Sequence, residues 1–305
     1  MLLSEFLDNF KSSNNEKPTH TSMTGGKWTI PSDQLSTLYQ LINEQIINGT
    51  ETIPLVEKIG DIHPCMIDID IKYLDKNVTR QYTDDTIKQI ADHLWSYIKT
   101  YFQVEDSKDK FSELYILQKS KSYPCSSGNY KTKDGIHLMY PNIILEKDAY
   151  KQFISIIKED EYFMKIFEDT CEIPPSNGLD TLIDGCFTSW QPYGCSKVRE
   201  EYYKLTNVGN VVMDNYVFVD EDTFECFYSD NVKLMKAMSM CRPDLKVNIE
   251  YSEGLQNKLK KKSSTSSNVM DENNPPLYPT QSISGIEDSS HIADTLELNL
   301  IKKYV

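Results

Sequence analysis

Much of what this sequence implies comes from what it lacks. No apolar run approaches the roughly 20 residues of a membrane span, so no segment reads as a transmembrane helix and no membrane partner is expected. The opening Met1-Leu2-Leu3-Ser4-Glu5-Phe6 has no basic region ahead of a sustained apolar core and does not read as a signal peptide. The seven cysteines are odd in number and include no Cys-x-x-Cys pair. That excludes zinc-finger spacing and fits reduced thiols inside a cell. Positive charge is in deficit as well: the net charge of −14 argues against a surface that binds nucleic acid all over. The Gly-x-x-x-x-Gly-Lys-Ser/Thr loop of ATP-binding proteins is missing, and so is any internal repeat.

What is present fits a soluble globular chain. With 305 residues, 39% apolar and 26% charged, it has room for one large domain or two small ones. Apolar spacing predicts helices over 35–46, 84–102, 147–158, 162–170 and 232–240. Strands are predicted at 53–59, 66–71, 114–118, 136–140 (ended by Pro141), 179–187, 201–206 and 215–219. Strands mixed with helices give a mixed α/β core of the α+β class. Residues 1–27 read as a polar, loosely held segment with a short amphipathic start. Past about Tyr251 the composition turns to Lys, Ser, Asn and Pro, the signature of a disordered linker.

One strand stands apart. In Met66-Ile67-Asp68-Ile69-Asp70-Ile71, alternation sends the isoleucines to one face and both carboxylates to the other. Asp-x-Asp pairs are common on solvated faces. Here, however, the acids are interleaved with isoleucine only, and two adjacent buried carboxylates call for a positive partner. A hard divalent cation is the simplest one.

Further along comes Lys133-Asp134-Gly135-Ile136-His137-Leu138, with a histidine inside an apolar strand. It reads either as a satisfied core histidine or as a phosphate contact joined by Lys133. Leu182-Ile183-Asp184-Gly185 ends an apolar strand with a third carboxylate. Pro192-Tyr193-Gly194-Cys195-Ser196-Lys197 is a turn that offers Ser196 and Lys197 to an anion, or an ordinary surface turn. Between Lys119 and Lys133 the chain carries Lys119, Lys121 and Lys131 with no acid among them up to that point, a local basic patch on an acidic protein.

Taken in order, these motifs resemble the archaeo-eukaryotic primase (AEP) superfamily. That superfamily has a hydrophobic-Asp-hydrophobic-Asp strand, a small-x-His strand and a hydrophobic-Asp strand. More narrowly, the chain is similar to the amino-terminal primase domain of primase–helicases from nucleocytoplasmic large DNA viruses. Thr19-His20-Thr21 ahead of Trp28-Thr29-Ile30 carries the likeness too, as does Met238-Ser239-Met240-Cys241-Arg242, which resembles a closing strand. The likeness runs from about Pro18 to Glu250. Two departures are visible: Gly135 stands where many members have Ser, and there is no zinc-binding insert.

The resemblance implies an RNA-recognition-motif-like sheet packed on a second αβ unit, with the active site in the cleft between them. It implies template-directed nucleotidyl transfer that makes primers in viral DNA replication. Two Mg²⁺ or Mn²⁺ ions would sit on Asp68, Asp70 and Asp184. Lys133, His137, Ser196 and Lys197 would hold an incoming NTP or dNTP, and Lys119, Lys121 and Lys131 a single-stranded DNA template. The domain plan expected is a polar segment at 1–27, a primase domain at 28–250, a linker at 251–291 and the start of a helical element at 292–305. A superfamily 3-type helicase module would follow in a longer protein, working in the host cytoplasm (a virus factory) or the nucleus. Three other readings stay open: an Asp-x-Asp glycosyltransferase, a two-metal nuclease, and a catalytically weak DNA-binding module of a primase–helicase.

Overall fold

The computed structural model describes residues 1–13, 15–49, 53–104 and 109–266. Helix α1 (Leu3–Asp8) turns Phe6 inward, and strands β1 (His20–Ser22) and β2 (Lys27–Trp28) follow. A short 3-10 turn at Ser32–Gln34 leads into α2 (Leu35–Ile47), which buries Leu35, Leu38, Tyr39 and Ile42. Next come β3 (Leu55–Lys58) and the long β4 (Ile62–Tyr73). Thr83 caps α3 (Asp84–Tyr101) through its hydroxyl, and Asp84 and Asp85 sit in the first turn, where the helix dipole favours negative charge. A two-residue β5 (Phe102–Gln103), the fully buried β6 (Leu114–Gln118) and a short β7 (Tyr123–Pro124) precede β8 (Thr132–Glu146). Helices α4 (Lys147–Lys158), α5 (Tyr162–Thr170) and α6 (Leu179–Leu182) then lead to β9 (Ile183–Asp184) and β10 (Ser189–Trp190). Strands β11 (Lys204–Val212) and β12 (Asn215–Phe218) form a hairpin whose turn residues Met213 and Asp214 both have positive φ, as a tight two-residue turn requires. The last elements are α7 (Glu221–Tyr228), α8 (Asn231–Met238), β13 (Glu250–Tyr251) and α9 (Glu253–Ser266).

Two antiparallel sheets organise these pieces. The larger has seven strands in the order β12-β11-β6-β8-β4-β9, with β7 attached to β8. Within it, β4, α3, β6, β8, α4 and β9 follow the βαββαβ order of a split βαβ unit. In space the four strands run second, third, first, fourth, the arrangement expected of an RNA-recognition-motif-like sheet. The smaller sheet has the order β10-β3-β1-β2. The α+β class is therefore observed. Among the described residues, no helix is long and apolar enough to cross a membrane.

Several local expectations give way to tertiary context. The segment 1–27 is not loosely held: His20 is fully buried and pairs with Trp28 and Glu57. Pro141 does not end its strand. The register slips between Pro64 and Cys65, so both prolines sit at a bulge, where a missing N–H costs no ladder bond, and β8 runs on to Glu146. The stretch 179–187 begins as a helical turn with Leu179 and Leu182 three apart, and only Ile183–Asp184 pairs as strand. Met238-Ser239-Met240-Cys241-Arg242 is not a strand. Met238 closes α8 and the rest is irregular, held by Glu57, which accepts from Ser239 Oγ (2.8 Å) and Met240 N–H (2.7 Å). Helix α9 occupies part of the stretch expected as linker. The remainder, 267–291, and the expected element at 292–305 lie outside the described residues.

One buried amide fixes the edge of β4 beside the acidic motif. Asn177 donates to the Asp70 carbonyl at 2.7 Å and accepts from Lys72 N–H at 2.9 Å, so it substitutes for a neighbouring strand. Truncation to Ala would leave both backbone groups without a partner. Asn177→Ala should lower unfolding free energy by about 1–3 kcal/mol, measured by urea denaturation.

Candidate active site

Register decides what meets here. In the β4–β8 ladder Asp68 lies opposite His137, Asp70 opposite Gly135 and Lys72 opposite Lys133; across β9, Asp68 lies opposite Asp184. Cross-strand partners share a face of the sheet. The three carboxylates, the imidazole and Lys133 are thus displayed together, while Ile67, Ile69 and Ile71 are buried on the other side. Asp68, Asp70, Lys133 and His137 line one wall of a cleft of about 230 Å³, whereas Asp184 is exposed and is not part of its lining. Val56 of β3 and Trp190 of β10 line it from the smaller sheet, together with Met23, just past β1, and Lys197.

Lys133 Nζ stands 2.6 Å from Asp70 Oδ1, with Lys72 Nζ 3.8 Å from the other oxygen. Asp68 is less well served. Its Oδ1 is buried without a hydrogen bond, the nearest approach being His137 Nε2 at 3.5 Å, and its Oδ2 accepts only a long bond from the Cys186 thiol at 3.7 Å. Burial, reinforced by the negative charges of Asp70 and Asp184 and opposed by Lys133, pushes the Asp68 carboxyl up to about 8. Burial, together with the charges of Lys119, Lys133 and Lys197, holds His137 well below its ordinary value. The imidazole is therefore neutral near pH 7 and presents an N–H rather than a charge. Burial also works against Lys133, but Asp70 outweighs it and keeps the ammonium charged.

The other sequence candidates divide. Lys197 is exposed at the cleft mouth. Ser196 is buried, its N–H donates to the Ile53 carbonyl at 3.0 Å, and it is not part of the cleft lining. The basic patch does not act as one strip. Lys119 is buried in the cleft, paired with Glu200 at 2.6 Å and lying over the Tyr123 ring at 3.8 Å, whereas Lys121 and Lys131 line a separate cavity.

Sequence reasoning missed the aromatic clamp on His137. Tyr203 stacks on the imidazole at 3.6 Å with planes 18° apart, and Trp190 lies 4.6 Å from it. Neither residue belongs to a motif, and only the approach of β10 and β11 brings them in. Tyr203 also explains Gly135: a Cβ there would lie 2.4 Å from the tyrosine hydroxyl. The phenol occupies the space that a serine side chain would need.

Comparison with known proteins bears directly on this geometry. Residues 19–209 match the family model described as the C962R protein N-terminal AEP domain. The chain belongs to this family. It is 29% identical to L207/L206 of Acanthamoeba polyphaga mimivirus, which carries a helicase name, over 193 residues, or 60% of this chain and 19% of that protein. It is 26% identical to 184R of Invertebrate iridescent virus 6, also named as a helicase, over 64% of this chain and 22% of that one. It is 22% identical over 70% of its length to C962R of African swine fever virus, named as a primase, and covers 21% of that protein. The chain thus spans about a fifth of the relatives it matches.

The donor set of the AEP domain suits a hard divalent cation. It offers carboxylate oxygens on adjacent strands, one of them buried with no hydrogen bond, and a lysine ammonium already supplies positive charge to Asp70. Among the described residues, the one group of three or more His, Cys, Asp or Glu whose ligand atoms all lie within 4.8 Å of one another is elsewhere: His20, Glu57 and Cys241.

Two predictions come from this site. A cation needs Asp68 ionised, so binding below pH 8 must displace its proton. Mn²⁺ affinity, followed by electron paramagnetic resonance, should rise with pH up to about 8, with a slope of up to one log unit per pH unit, and then level off. Separately, Gly135→Ala should destabilise by roughly 1–3 kcal/mol through overpacking against the Tyr203 hydroxyl. In a Tyr203→Phe background most of that cost should disappear, a coupling that a urea double-mutant cycle reads directly.

Proposed function

We propose that this AEP domain is a template-directed nucleotidyltransferase that makes primers for viral DNA replication. The observation that carries the reading is the cleft lined by Asp68 and Asp70 together with Lys133, His137 and Lys197, with Asp184 paired to Asp68 across β9 at its edge. Acids alone would fit any cation site. Acids facing an anion-binding side fit a nucleotide triphosphate.

Phosphoryl transfer asks a protein mainly for positioning and charge stabilisation. Asp68, Asp70 and Asp184 would hold Mg²⁺ or Mn²⁺, which when bound activates the attacking hydroxyl and neutralises the departing pyrophosphate. Lys133 binds phosphate oxygen as a point charge once released from Asp70. His137, stacked on Tyr203 with Trp190 tilted against it, donates its N–H to a phosphate oxygen in fixed orientation. Lys197 at the mouth adds charge without fixed geometry. Single-stranded DNA is the template in this reading. The helicase and primase names of the longer relatives support a helicase module on the same polypeptide, acting where such a virus replicates its genome.

The test is incorporation of labelled dATP or ATP on a single-stranded template with Mg²⁺ or Mn²⁺. Asp70→Asn should reduce incorporation at least 100-fold, the scale on which loss of one transition-state charge contact acts, with an unchanged circular dichroism spectrum. Undiminished synthesis by that variant, or turnover of a sugar nucleotide by the wild type, would refute the proposal.

A further inference from the structure

Outside the cleft, one cluster of side chains has the composition of a metal centre. His20 of β1 and Glu57 of β3 are direct partners in the ladder, and Cys241 joins them from the segment after α8. One ligand atom from each, a ring nitrogen, a carboxylate oxygen and the thiol sulfur, lies within 4.8 Å of the other two. His20 and Glu57 are fully buried. His20 Nε2 makes no hydrogen bond and stands 3.6 Å from Glu57 Oε1. The remaining atoms are held as the outer partners of metal ligands are. His20 Nδ1 bonds Thr19 Oγ1 at 2.9 Å, and Glu57 Oε2 accepts from Met240 N–H at 2.7 Å. Oε1 accepts from Ser239 Oγ at 2.8 Å and from the Tyr39 hydroxyl at 3.4 Å, the longer bond being the one a metal would displace. Cys241 Sγ makes only long contacts, to the Thr19 and Lys58 carbonyls at 3.7 and 4.0 Å.

We infer that His20, Glu57 and Cys241 bind one zinc ion, which ties the segment after α8 to the smaller sheet. The donors suit it, since zinc takes imidazole, thiolate and carboxylate together, whereas Mg²⁺ and Mn²⁺ prefer oxygen. The spacing suits it too. At zinc bond lengths of about 2.0–2.3 Å, ligands around a tetrahedron stand roughly 3.3–3.6 Å apart, close to the 3.6 Å between Nε2 and Oε1. Charge points the same way. Among the described residues, no lysine or arginine pairs with buried Glu57. A dication with one carboxylate and one thiolate is a neutral unit, the form in which charge is least costly to bury. Burial and the charge of Glu57 push the Cys241 thiol up, so zinc displaces its proton on binding. Cys241 is the partly exposed member and gives the ion a way in, with a water as fourth ligand. The ligands arrive from three remote segments, which is why no zinc spacing shows in the sequence. Glu57 also lies opposite Trp190, the residue that touches His137. The zinc centre therefore braces a wall of the cleft, although none of its three ligands lines the cleft. It does not depend on the transferase reading.

The experiment strips the full chain with chelator and titrates it with Zn²⁺ and, separately, with Co²⁺ as a coloured analogue. Zinc should raise the thermal midpoint of the wild type, and the cobalt form should show a sulfur-to-cobalt charge-transfer band. Cys241→Ser should abolish that band and weaken zinc binding roughly 100-fold or more, since loss of even an outer-shell partner costs about 10–100-fold. His20→Gln should weaken zinc binding on the same scale, and circular dichroism shows whether each variant is folded. Cys226→Ser, at an exposed thiol, and Asp70→Asn should both keep the cobalt band. A wild type that takes up no zinc, a cobalt spectrum without the sulfur band, or undiminished affinity in folded Cys241→Ser overturns the inference and leaves the cluster as a hydrogen-bonded knot. Zinc lost in Asp70→Asn but kept in Cys241→Ser overturns it as well, and would put the ion in the cleft. Where neither ligand variant folds, the wild-type cobalt spectrum decides.

Discussion

Two carboxylates on one face of a buried strand repel each other, and the architecture around β4 is arranged about that repulsion. Strand β8 answers it with Lys133, whose side chain reaches from opposite Lys72 to Asp70, and with His137 directly across from Asp68. Asn177 pins the backbone at Asp70 and Lys72 through two hydrogen bonds that do not depend on the carboxylate charge. Asp68 keeps an unmatched oxygen, and its raised proton affinity records a demand for positive charge that the protein alone does not meet.

The smaller sheet turns this face into a cleft. Through β10 it brings Trp190 against His137, and through β3 it brings Val56 to the cleft lining, beside Met23 just past β1. Its own foundation is a buried polar knot in which Glu57 takes hydrogen bonds from Ser239 and Met240 beside His20. The amino-terminal segment is therefore part of the wall.

How much of this could be read from the sequence depended on the range of the forces involved. The face occupied by Asp68 and Asp70 follows from period-two alternation, and the buried stripe of α3 from helical spacing; both are local. Asp184 was legible as a third carboxylate on an apolar strand, although the strand proved to be two residues long. Contacts made by pairing were hidden. Nothing local tells that Pro141 sits at a bulge, that Tyr203 fills the space beside Gly135, or that neighbouring Lys119 and Lys121 open into different cavities. Lys119 and Lys121 lie in the connection between β6 and β7, where no strand alternation fixes their sides, and which cavity each enters is decided by distant segments.

The central claim is that the β4 carboxylates form the cation and nucleotide site. Anomalous diffraction from crystals soaked in Mn²⁺ and a non-hydrolysable nucleoside triphosphate tests it most directly. The account predicts manganese peaks between Asp68 and Asp70, with Lys133 moved from Asp70 onto phosphate. Manganese at His20, Glu57 and Cys241 alone, or triphosphate bound away from His137, would contradict it.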